Sequence, residues 1–75
     1  EFTIFLNPAS SIVYISSTYH MHRVTMLNTA GELIKELKPE NTEASFYISN
    51  VKDGLYFIKI YHQEGVYNYQ LIIIK

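Results

Sequence analysis

The strongest indication of how this chain folds is Gly54-Leu55-Tyr56-Phe57-Ile58-Lys59-Ile60, followed by Gly65 and then by Leu71-Ile72-Ile73-Ile74-Lys75. In the first segment, large apolar residues recur at every second position, which is the period of a half-buried strand. Gly65 lies in a short polar loop, so the two segments predict a β-hairpin. Soluble domains usually interrupt or cover an aliphatic run like the second segment. We therefore interpret that run as a candidate recognition element.

Alternating apolar and polar residues, separated at regular intervals by turn residues, continue through the rest of the chain. This pattern is typical of a β-sandwich. It predicts strands at residues 2–6, 11–15, 22–28, 32–38, 44–48, 55–61 and 66–74. We expect an all-β, immunoglobulin-like β-sandwich of about seven antiparallel strands. Because the chain shows no repeat and no linker, residues 1–75 are expected to form a single domain.

Residues 32–38 have two interpretations. Three apolar residues in this segment also fit the stripe of an amphipathic helix. A strand is favoured, because the segment is short, follows a tight turn at Gly31 and is stopped by Pro39. Polar residues at 16–18 and 40–43 predict loops.

Turn residues mark the ends of several predicted strands. Asn7-Pro8-Ala9 ends the first strand, since proline has no N–H to donate to a ladder. Asp53-Gly54 predicts a turn in which Gly54 takes a positive φ. Tyr56 follows at the position where sandwiches place a tyrosine corner, with the ring in the core and the hydroxyl bonded to the backbone a few residues upstream. This role in folding suffices to explain Gly54 and Tyr56.

The composition argues against several classes of partner. The net charge is −1 and there is no basic run, whereas nucleic-acid binding needs clustered cations. No segment reaches the roughly 18 apolar residues of a membrane-spanning helix. There is no cysteine for a disulfide or a thiolate metal site. The chain begins with Glu and lacks a basic leader region, so we expect it to be an excised C-terminal piece of a larger protein whose signal peptide lies upstream.

Neither a metal site nor a catalytic site is expected. His20 and His22 would share a strand face, but His62 is the only other nitrogen donor of this kind, and we interpret all three as exposed histidines at loop edges. The serines near residues 10–17 have no nucleophile-elbow motif and no evident His–acid pair. We therefore predict no cofactor and no enzymatic activity.

The turn and strand motifs resemble, in order and spacing, the C-terminal sorting domain (type A) of proteins exported by the type IX secretion system of Gram-negative bacteria. The matching segments are Asn7-Pro8-Ala9-Ser10, residues 24–34, residues 50–56 and residues 71–75. Under this resemblance, the candidate signal residues are Gly54, Tyr56, Gly65, Leu71, Ile72, Ile73, Ile74 and Lys75, and the turn residues of the fold are Asn7, Pro8, Ala9, Gly31 and Asp53.

The resemblance implies a function in export. The domain would direct its parent protein through the periplasm and across the outer membrane, to the cell surface or the medium. Its partners would be the outer-membrane translocon, a shuttle protein and a surface sortase that removes the domain. The alternative is an immunoglobulin-like binding or spacer module of an extracellular enzyme. In that case Phe57 with Tyr61, or Tyr67 with Tyr69, could form a stacking face for sugars or a docking face for protein.

Overall fold

The structure, a computed structural model, describes residues 1–7 and 10–74. It contains six strands, which are β1 (Phe2–Asn7), β2 (Ile12–Leu27), β3 (Leu33–Leu37), β4 (Asn41–Tyr47), β5 (Gly54–His62) and β6 (Gly65–Ile73). Every strand pairing is antiparallel, and the described part of the chain contains no helix. The predicted all-β, antiparallel class is therefore confirmed. Pro8 and Ala9 of the first predicted turn, and Lys75 of the aliphatic run, lie outside the described residues.

The sheet is organised around β2. The first half of β2 pairs with β1 and β4, its second half pairs with β3 and β5, and β6 continues the sheet beyond β5. Buried side chains from both halves belong to one hydrophobic cluster, so the sheet curls over on itself. This arrangement is compatible with the two facing layers of a sandwich.

The loop predicted at residues 16–18 is wrong, because the strands predicted on either side of it form the single 16-residue strand β2. Ser16 is paired with Glu43 of β4, and Ser17 with Phe2 of β1. Neighbours on both sides therefore hold this polar segment in extended form, although its composition is typical of a turn. The described residues form six strands, not the predicted seven or so, because β2 serves both halves of the sheet.

The core is built from the alternate residues that the periodicity placed inward. Phe46 and Ile48 are buried, as are Tyr56, Ile58 and Ile60. The other buried apolar residues are Val13, Ile15, Met21, Val24, Met26, Val51, Leu71 and Ile73. Phe2, Ile4 and Leu6 pack against this cluster from one face of β1.

Two further predictions are decided in the segment between β2 and β4. Residues 33–37 form a strand and not a helix, and Gly31 before them has a φ of 82°, the left-handed conformation expected of this turn. The loop predicted at residues 40–43 is shorter than expected, since β4 already begins at Asn41. Glu40 therefore stands immediately before a strand, and its own φ is 49°.

Candidate functional site

Tyr56 forms the predicted tyrosine corner at the start of β5. Its ring is buried in the core, and its hydroxyl donates a hydrogen bond of 2.6 Å to the backbone carbonyl of Lys52, four residues upstream. Gly54 has a φ of 154°, a value that residues with a Cβ rarely adopt. The bond and the glycine together fix the direction in which the chain enters β5.

Strands β5 and β6 form a regular hairpin. His62 is paired with Gly65, so Gln63 and Glu64 alone make the turn. The pairing continues without a shift from there to the pair of Gly54 and Ile73. Because opposite residues of an antiparallel pair lie on the same face, Tyr67 and Tyr69 lie on the inner face with Ile60 and Ile58. The predicted terminal hairpin is present with its two faces well distinguished.

The last residues of this hairpin alternate between the core and the solvent. Leu71 and Ile73 are buried, whereas Ile72 and Ile74 are 64% and 69% exposed. Leu55 is paired directly with Ile72 and is also exposed. We call Leu55, Ile72 and Ile74 the outer patch. These side chains contribute little to the core, so they are available for contact with another molecule.

The aromatic residues do not form one continuous binding face. Tyr67 and Tyr69 pack against the hydrophobic core. The Tyr67 ring stacks on Phe2 of β1, with centroids 4.3 Å apart. On the opposite face of β5, the guanidinium carbon of Arg23 lies 5.1 Å from the ring centroid of Tyr61. The two tyrosines of β6 are therefore part of the packing around the core, and the Arg23 side chain covers one face of the Tyr61 ring.

Three polar residues, two from β2 and one from the residue before β4, meet on the exposed side of β2. His20 donates from Nε2 to Glu40 Oε1 at 2.9 Å, and His22 Nδ1 lies 3.4 Å from the same oxygen. These hydrogen bonds, that of His20 first, lower the pKa of the Glu40 carboxyl below its ordinary value. We call the three residues the histidine cluster.

The exposure of the two histidines was predicted from the sequence, whereas the approach of Glu40 to them was not. His20 and His22 are exposed, as expected, but they lie within β2 and not at a loop edge. No local pattern indicated that Glu40 would reach them, since it is 18 to 20 residues away along the chain. His62 is held elsewhere, with its ring stacked on Tyr19 at 4.8 Å.

These features define a class of protein, namely a small antiparallel β-domain with a tyrosine corner and apolar side chains displayed along its last strand. A family model described as the secretion system C-terminal sorting domain matches residues 3–75. The chain belongs to this family, and it is a C-terminal sorting signal for type IX secretion. No curated protein matches the chain.

Membership of this family carries two consequences. The domain interacts with the type IX secretion system, and its signal implies export to the cell surface or secretion. The resemblance found in the sequence motifs is therefore confirmed. Within the described residues, no helix is long and apolar enough to cross a membrane.

Proposed function

We propose that the domain is recognised through the outer patch by the outer-membrane translocon and its shuttle protein in a Gram-negative bacterium. The parent protein would first cross the periplasm, and a surface sortase would then remove the domain. In this scheme the domain is a substrate for recognition and cleavage, and it catalyses no reaction itself. It is one domain, residues 1–75, of a larger secreted protein.

The observation that carries this proposal is that Ile72 and Ile74 are exposed to solvent, although they alternate along the chain with residues of the core. Fully burying an exposed large aliphatic side chain contributes about 1.5–3 kcal/mol. Because about two thirds of each of these two side chains is exposed, covering both would contribute roughly 2–4 kcal/mol before the costs of association. The backbone of β6 supports the same proposal. Among the described strands β6 pairs only with β5, so its other edge offers backbone groups to which a partner's strand could add.

The test of this proposal is to transfer the domain to another protein. Residues 1–75 are fused behind an unrelated periplasmic reporter and expressed in two strains, with and without the type IX apparatus. Because a sorting signal lies in the domain's own surface, we expect the reporter at the cell surface or in the medium only when the apparatus is present. Protease protection of the reporter and fractionation measure its location.

The alternative functions give a different result in the same experiment. A spacer or sugar-binding module predicts the same reporter location in both strains. A sugar-binding module would in addition bind members of a glycan panel as an isolated domain. Periplasmic retention in both strains, with the fusion intact and folded, would rule out the proposed route.

A further inference from the structure

The histidine cluster carries a set of potential metal ligands. Its three potential ligand atoms, two imidazole nitrogens and one carboxylate oxygen, all lie within 4.8 Å of one another. All three residues are exposed, so a metal ion could enter from solvent and keep water at its remaining positions. We propose that His20, His22 and Glu40 bind one divalent transition-metal ion of the Zn²⁺ type.

The two distances from the Glu40 carboxylate fit this coordination. Tetrahedral Zn²⁺ with bonds of about 2.0–2.1 Å places neighbouring ligand atoms about 3.3 Å apart. Glu40 Oε1 lies 2.9 Å from His20 Nε2 and 3.4 Å from His22 Nδ1, which brackets that value. Exposed side chains need only small rotations to convert these hydrogen bonds into metal–ligand bonds.

The backbone of Glu40 is the second observation. Its φ of 49° lies in the left-handed region, which is unfavourable for a residue with a Cβ, and Glu is not among the residues that commonly adopt it. Such conformations persist where the surrounding structure holds them, and they are concentrated at functional sites. Here the strained residue is the one that carries the carboxylate to the two imidazoles.

The pairing of β2 with β5 has a β-bulge at His22. Met21 is paired with His62 of β5, whereas Arg23 is paired with Tyr61, so His22 is the extra residue between two consecutive pairs. A bulge of this kind changes the direction of a side chain and bends the strand. His20 and His22 are two residues apart and both are exposed, while Met21 between them is buried, as strand alternation requires.

The arginine of β2 is engaged away from the Glu40 carboxylate. The nearest basic residue on the same strand, Arg23, donates from Nε to the Glu36 carboxylate of β3 and lies over Tyr61. The donor set of two nitrogens and one oxygen suits Zn²⁺, Ni²⁺ and Cu²⁺ better than Mg²⁺ or Ca²⁺, which prefer oxygen ligands. We therefore choose Zn²⁺, added without any other ligand, as the probe.

Calorimetric titration of the 75-residue chain with Zn²⁺ tests the proposal. We expect one saturable site with a Kd on the order of 10 µM. Glu40→Gln, which retains hydrogen bonding but loses the anionic ligand, should weaken binding by about tenfold or more. The matched control is Glu43→Gln, which removes the same charge from a nearby exposed position and should leave the Kd within about twofold.

Proton NMR provides a second readout, because the chain contains only three histidines. Zn²⁺ should shift the ring signals of His20 and His22 and leave those of His62 in place. At about 100 times the Kd, Zn²⁺ should also raise the Tm by about 10–20 °C, and Glu40→Gly should abolish this gain without destabilising the metal-free protein. Equal responses of all three histidines, equal losses in the two glutamine variants, or no saturation at about 1 mM Zn²⁺ would each overturn the proposal.

Discussion

At the scale of single residues, the hydroxyl of Tyr56 has the best-defined structural role. It is the donor of the 2.6 Å bond to the Lys52 carbonyl, and the ring that carries it is only 8% exposed. A bond of this kind contributes about 1–2 kcal/mol when its loss leaves a carbonyl without that donor.

Tyr56→Phe is therefore expected to lower the free energy of unfolding by about 1–2 kcal/mol, as measured by urea denaturation. Tyr47→Phe is the matched control. Because Tyr47 is 65% exposed, the same change there should alter stability by less than about 0.5 kcal/mol. If both variants unfolded at the wild-type midpoint, the corner bond would have no part in stability and Tyr56 would be better explained by direct recognition.

Gly54→Val is expected to destabilise the domain more than Tyr56→Phe does, by about 2–3 kcal/mol. A Cβ at residue 54 would lie 3.8 Å from Cε2 of Tyr56, which is an ordinary contact, so the cost comes from the φ of 154° and not from a clash. Leu55→Val introduces the same side chain one residue later in normal strand geometry, and it should cost less than about 1 kcal/mol. Equal losses for the two valine variants in urea denaturation would show that the backbone at Gly54 is not strained by a side chain.

At the scale of elements, the side chains at the end of the last hairpin alternate between the core and the solvent, and the recognition that we propose uses only the outward set. Leu71 and Ile73 serve the core, whereas Ile72 and Ile74 serve the outer patch. Deleting residues 71–75 would remove both sets at once, so a loss of export could then result from a weakened fold. Substitutions on the outer side alone give the sharper experiment.

The double change Ile72→Lys and Ile74→Lys is expected to leave the parent protein in the periplasm while keeping the unfolding free energy within about 1 kcal/mol of wild type. The control is Val66→Lys, at the other end of the same strand, where the residue is 47% exposed. Export is measured as the fraction of parent protein outside the cell. Normal export of the double variant would show that the outer patch is not needed for recognition.

The same scale shows where a local pattern misleads. Ser16 and Ser17 lie in a segment with the composition of a loop, yet they continue β2, because β4 and β1 are paired with them. Strand propensity depends strongly on what lies beside the strand, and neighbouring strands cannot be read from adjacent residues. In contrast, the two faces of β5 follow from alternation within one segment, and the structure shows the predicted alternation.

At the scale of the whole molecule, the long strand β2 joins the two halves of the sheet and brings distant parts of the chain together. The aromatic contacts illustrate this. Phe2 of β1 stacks on Tyr67 of β6, and Tyr19 of β2 stacks on His62 of β5. These rings join strands from both halves of the curled sheet. The histidine cluster is formed in the same way, from β2 and the residue that precedes β4.

Features that depend on a few adjacent residues could be predicted from the amino-acid order alone. They include the strand periods, the left-handed Gly31, the tyrosine corner, the hairpin and, through the motifs, the sorting family. The continuity of β2 and the meeting of Glu40 with His20 and His22 could not be predicted in this way. Both arise from pairing between segments far apart in the chain, whose free energy depends on partners that local periodicity does not contain.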